Sequence, residues 1–260
     1  MKIKLPALIL ATACGLCAQF GPPGPPPAPA PGKAGAPIDL TGYWVAFVTE
    51  DWRWRMVTPL KGDAASVPTN AEARKVIAAW DPAKDEAAGL QCKSYGAPAI
   101  MRVPGRLHIT WQDDLTLKIE TDAGQQTRLL HFDGNPPREA APSWQGHSSA
   151  KWEGPAPTVN PPVVFGLGLA PRLGARSRSL EVTTTNLRAG YLRKNGVPYS
   201  DKTVLKEYYD LFSEPNADTW FMVTTIVDDP AYLAVPFVTT SHFKRIADAS
   251  GWDPEPCTAR

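Results

Sequence analysis

The sequence predicts a mainly β fold: an antiparallel up-and-down β-barrel of lipocalin-like type, or a two-sheet sandwich, with a short helical insert near residues 70–88. Three observations carry this expectation. From Ile100 to Phe132 apolar and polar residues alternate, and Gly and Asp pairs break the run, which is the pattern of an antiparallel meander. Short aromatic and β-branched runs recur along the rest of the chain, about ten strands in all. Helical periodicity is confined to one region. Closing the sheet removes its exposed edges, which favours the barrel over the sandwich.

Taken in order, Tyr43 to Thr49 reads as a strand. Trp52 to Met56 reads as a second, with Trp52, Trp54 and Met56 on one face and Arg53 and Arg55 on the other. Thr69-Asn70-Ala71-Glu72 has the form of a capping box, and Ala73, Val76, Ile77 and Trp80 follow at helical spacing. Asp81-Pro82 starts a second short helix that Gly89 ends. The meander is read as Met101 to Val103, then three strands centred on Leu107–Trp111, Leu115–Ile119 and Thr127–Phe132. Further strands are expected at Gln145–Trp152, Leu180–Asn186, Val204–Phe212, Thr219–Val227 and Tyr232–Thr240, with a polar loop from Leu187 to Lys202.

Residues 1–18 have the layout of a secretory signal: Lys2 and Lys4, then a short apolar run from Leu5 to Leu16. The run is too short to span a bilayer, so no transmembrane segment is expected. A minor alternative is a lipid anchor at Cys14. Residues 19–38 are rich in Pro, Gly and Ala and read as a disordered linker. A single domain is then expected over 39–260, interrupted by a long Pro-rich loop at 154–178, which holds five Pro and four Gly. Outside the signal only Cys92 and Cys257 remain, and in an oxidising compartment an even count predicts one disulfide between them. The compartment is therefore expected to be the periplasm or the exterior.

The chain has 27 basic and 26 acidic residues, too even a balance for a nucleic-acid footprint. Nine Trp are many for one domain and suggest a core or a ligand cavity lined by indoles. Three clusters could carry chemistry. In Trp144-Gln145-Gly146-His147-Ser148 with Trp152-Glu153, His147 and Glu153 share a strand face; they could act as an acid/base pair if the strand bends. In 186–201, Arg193 and Lys194 could clamp an anion, and Tyr191 could donate a proton. In Trp52-Arg53-Trp54-Arg55 with Arg102, inward arginines would make an anion-binding cavity and inward indoles an apolar one. Against each stands a plain structural role. The four His show no metal spacing, no nucleotide or nucleophile motif is present, and no metal or cofactor is expected.

The motifs Asp39-Leu40-Thr41-Gly42-Tyr43-Trp44, Thr49 to Met56, Arg102-Val103-Pro104-Gly105-Arg106, Gln145-Gly146-His147-Ser148 with Trp152-Glu153, Arg188 to Ser200 and Asp229-Pro230 cover most of the chain from Asp39 on. In these the chain resembles a family of uncharacterised secreted bacterial proteins. The resemblance implies a secreted domain with those polar positions and no particular activity. The family continues Gly-Asp-Thr after the position of Glu153, whereas here Gly154-Pro155 opens the Pro-rich loop.

Three functional expectations follow. The first is a barrel that binds a small, partly apolar ligand in its interior, with Trp52 and Trp54 stacking on it and Arg53, Arg55, Arg102 or Arg193 orienting it. The second is a metal-independent acid/base enzyme, a hydrolase, isomerase or lyase, built on His147, Tyr191 and Glu153. The third is a structural envelope protein.

Overall fold

The structure is a computed structural model, and it describes residues 30–134, 141–153 and 179–260. The signal segment 1–18, Cys14, most of the linker and the loop 154–178 lie outside the described residues. Nine strands close into a barrel in the order β1-β11-β10-β9-β6-β5-β4-β3-β2, with β2 returning to β1. They are β1 (Gly42–Phe47), β2 (Arg106–Asp113), β3 (Thr116–Thr121), β4 (Thr127–His131), β5 (His147–Trp152), β6 (Leu180–Thr185), β9 (Val204–Ser213), β10 (Thr219–Asp228) and β11 (Phe237–Ile246). The remaining two, β7 (Gly190–Arg193) and β8 (Val197–Tyr199), form a separate hairpin. Among the described residues four short α-helices precede the second strand: α1 (Trp52–Arg55), α2 (Ala71–Ala79), α3 (Pro82–Ala87) and α4 (Ala97–Ile100).

The barrel is not purely up-and-down. β4 and β5 pair in parallel, Leu130 opposite Ser148 and His131 opposite Ser149, a pairing that an up-and-down barrel does not contain. β6 pairs with β9, because the β7–β8 hairpin leaves the wall and folds over one end.

Strand alternation decides what lies inside. Trp44, Ile109, Ile119, Leu130, Val182, Tyr209, Phe221 and Phe243 are all buried, and Trp44 meets Phe221 edge-on at 4.6 Å. This packing fills the interior with side chains. Between it and a second apolar cluster (Leu205, Val227 and Phe237 with Leu192, Val197 and Tyr199) runs a belt of buried polar groups. At its centre Arg128 donates to both carboxylate oxygens of Glu207, at 3.0 and 2.6 Å. Burial works against the Arg128 charge, but the Glu207 carboxylate outweighs it and holds the guanidinium protonated above its usual range.

One end of the barrel is capped by residues 48–105, the β7–β8 hairpin and the C-terminal tail. Asn70 caps α2 by accepting from the Ala73 amide at 3.0 Å. Ala73, Ile77 and Trp80 are buried, as their spacing predicts. Gly196 turns the hairpin at φ 83° directly against the Trp80 indole, where a side chain would collide. The tail runs from β11 back to the cap, and the Cys92–Cys257 disulfide fastens it there, with Cα atoms 5.1 Å apart.

Several expectations need correction. Trp52 to Met56 is not a strand. Asp51 adopts a left-handed conformation, φ 53°, and its carbonyl accepts from the Trp54 and Arg55 amides, which starts the one-turn helix α1. Met101 to Val103 is a turn after α4, its amides bonding back to Ala99 and Ile100. The last strand is Phe237–Ile246, not Tyr232–Thr240, because Asp229 gathers Ser200, Thr203 and the Ala231 amide into a buried turn. The segment 187–202 is no solvated loop: Leu192, Val197 and Tyr199 are buried. Residues from Gly32 on already touch the barrel, earlier than the Asp39 start expected for the domain; the Trp152 indole donates to the Gly32 carbonyl at 2.7 Å.

Candidate functional site

At the capped end, outside the barrel interior, α1, the segment 56–59, α4 with the turn after it, β7 and the tail surround a pocket of about 290 Å³. Its lining includes Trp54, Arg55, Arg102, Arg193 and Lys194, with Tyr95, Met56, Val57 and Leu192 as apolar wall. Among the described residues that line it, Glu255 is the single acid.

Three of these cations are buried arginines, at 8%, 7% and 5% exposure for Arg55, Arg102 and Arg193. Among the described residues each finds acceptors for some of its nitrogens and leaves one over. Arg55 donates through Nε to the Arg102 carbonyl at 2.9 Å and through Nη1 to Glu50, while its Nη2 has no partner. Arg102 donates through Nη2 to Asp51 at 2.7 Å, while its Nη1 has none. Arg193 donates to the Ala65 carbonyl at 2.8 Å and to the Ser66 hydroxyl at 3.0 Å, leaving Nε unpaired; its guanidinium stacks 4.9 Å from the centre of the Trp54 ring. Burial, and then the charge of Arg102, pull Arg193 down to about 10, which still leaves it charged at neutral pH. Burial and Arg102 likewise pull Arg55 down against the opposing pull of Glu50.

A buried charged donor without a partner costs about 1–3 kcal/mol or more, and like charges packed together add to that. Asp51 and Glu50 offset part of this from behind. Three guanidinium groups line this one pocket, and their forks of N–H donors match the planar or tetrahedral oxygens of an oxyanion, which makes the pocket chemically fit for one. The disulfide holds two of its walls together, since Ser94 and Tyr95 follow Cys92, while Pro256 and Thr258 flank Cys257.

The remaining sequence candidates lie elsewhere. Trp52 is 67% exposed, and Arg53 points outward to pair with Asp63 at 3.2 Å. Neither lines the pocket, because one helical turn, unlike a strand, separates them from Trp54 and Arg55. Tyr191 donates to Asp85 at 2.8 Å, beside Lys93; burial and that carboxylate push its phenol well above the usual range, unsuited to giving up a proton. His147 stacks on His131, ring centres 5.0 Å apart. Burial and then the His131 charge lower its pKa, against an opposing pull from Asp133. Glu153 follows the far end of β5, so the extended strand separates it from His147. The structure therefore brings Arg55, Arg102, Arg193 and Trp54 together, and does not bring His147, Tyr191 and Glu153 together. Among the described residues no group of three His, Cys, Asp or Glu is placed to hold a metal.

Sequence reasoning did not find Asp51, Glu50, Tyr95 or the tail residues Glu255 and Thr258. The tail had a legible signal: pairing Cys92 with Cys257 necessarily brings their neighbours together. Comparison of the chain with protein families, with curated proteins and with solved structures returns no match. Fold and site together define a closed nine-stranded β-barrel with a cationic pocket under its cap.

Proposed function

We propose that the protein is a secreted or periplasmic barrel that binds a small, partly apolar anion in the capped-end pocket rather than in the barrel interior. The observation that carries this reading is the set of three buried arginines around one pocket, each with a donor that finds no partner among the described residues. A filled interior by itself would suit a purely structural protein; the unpaired donors favour binding. The disulfide fits an oxidising compartment, and no helix among the described residues is long and apolar enough to cross a membrane. The acid/base enzyme reading has less support, because its three residues occupy separate places.

Titration calorimetry with inorganic sulfate, inorganic phosphate and benzoate tests the reading. Binding is expected, weakened tenfold or more by Arg193→Gln and by Arg102→Gln, with circular dichroism confirming that each variant is folded. No heat from any of these anions up to millimolar concentration would overturn it.

A further inference from the structure

The surface beside the pocket narrows the class of ligand. Met56 and Val57 line the pocket, yet they are 59% and 67% exposed, so they form its mouth. Leu60, 76% exposed, follows the lining residue Pro59 in the chain and adds a further exposed apolar side chain beside this mouth. Among the described residues ten large hydrophobic side chains are exposed, and four of them, Trp52, Met56, Val57 and Leu60, fall within this one nine-residue stretch. Such a concentration marks a binding surface more often than scattered apolar residues do. The stretch is anchored from below: the Asn195 side chain donates to the Leu60 and Asp63 carbonyls, both at 2.9 Å. It therefore presents its side chains from a fixed backbone.

The pocket, at about 290 Å³, lies at the small end of ligand sites, which run from roughly 300 to 1,000 Å³. It has room for a charged head and a few carbons, and anything longer must leave by the apolar mouth. An occupant that satisfies both surfaces has to be acidic at one end and apolar along the other.

Resting on the anion-binding reading above, we infer that the ligand is an amphiphile: an oxyanion head held by Arg55, Arg102 and Arg193, and a straight alkyl tail lying over Met56, Val57 and Leu60. The head chemistry is shared by free alkyl acids and by anionic lipids of a bilayer. No bond is made or broken.

Calorimetry of the intact, disulfide-bonded protein with ethyl, hexyl and octyl sulfate, each below its micelle-forming concentration, reads the tail; inorganic sulfate reads the head alone. Affinity is expected to rise roughly three- to fourfold per added methylene until the strip is covered. In Leu60→Asn the rise should level off earlier, while inorganic sulfate binds as it does to the parent. Co-sedimentation with phosphatidylglycerol vesicles, abolished in Arg102→Gln, supports the same chemistry and makes a bilayer the source; tail dependence without co-sedimentation supports it with a free acid as the source. If alkyl sulfates bind no better than inorganic sulfate, the amphiphile proposal is overturned and the anion reading stands. If no sulfate compound binds, both fall. Self-association that Leu60→Asn abolishes, without any tail dependence, would assign the strip to a second copy of the chain and overturn the proposal.

Discussion

Arg102, which lines the pocket, donates to the Asp51 carboxylate at 2.7 Å with one terminal nitrogen, and its other terminal nitrogen is buried with no partner among the described residues. The two residues are 51 apart in sequence. The contact fixes α1 against the turn after α4, and it sets how much positive charge the pocket offers, because Asp51 competes with any ligand for Arg102.

Replacing Asp51 by Asn tests that competition. Asn tolerates the left-handed backbone of this position, φ 53°, so the turn into α1 should survive. Losing the carboxylate leaves Arg102 less compensated, and stability should fall by about 1–3 kcal/mol. Inorganic sulfate should bind several-fold more tightly than to the parent. Unchanged affinity in calorimetry would mean that Arg102 is not offered to the ligand.

The Arg128–Glu207 pair inside the barrel should behave differently from its single deletions. Both side chains are fully buried, and Tyr209 and Thr184 are near enough to share the network at 3.4 Å. Glu207→Gln or Arg128→Met alone strands a buried charge and should cost about 3–5 kcal/mol. The double variant Arg128→Met/Glu207→Leu should recover a large part of that loss. Urea unfolding of the three variants gives the coupling energy, and simple additivity would show that the pair is not coupled.

Breaking the disulfide should act on stability and site together. Removing a native bridge of this kind typically costs about 2–5 kcal/mol. Cys92→Ala/Cys257→Ala should also weaken sulfate binding, because Tyr95 and Thr258 on either side of the bridge are pocket walls. A variant that is less stable yet binds sulfate normally would show that the tail stays in place without the bridge.

His147 predicts an acid-side loss of stability. Its folded-state pKa lies below the ordinary 6.5, through burial first and the His131 charge second. As pH falls through 6.5 the unfolded chain takes up a proton that the folded chain refuses, so stability declines there and levels off below the folded value. Urea midpoints measured across that range should drop less in His147→Gln than in the parent. Equal slopes would place the acid sensitivity elsewhere.

Much of the scaffold was legible before any coordinates. Alternation located most of the barrel strands, because a wall with one face buried must place every second side chain inward, as Phe221, Val223 and Val227 do along β10. Helical spacing located Ala73, Ile77 and Trp80, and cysteine counting located the bridge. The site was legible only in its ingredients. Trp52-Arg53-Trp54-Arg55 alternates like a strand, yet the Asp51 backbone turns it into one helical turn, sending Arg55 inward and Trp52 out.

The sequence by itself determined a mainly β domain, barrel or sandwich, with one expected disulfide and the supply of arginines, since periodicity and composition are local properties of the chain; closure into a nine-stranded barrel came from the structure. Only the tertiary structure decided that Arg55, Arg102 and Arg193 surround one pocket at the barrel's capped end. That arrangement depends on partners dozens of residues away, Asp51 for Arg102 and Ala65 and Ser66 for Arg193, and on packing that fills the interior and leaves the ligand's space outside it.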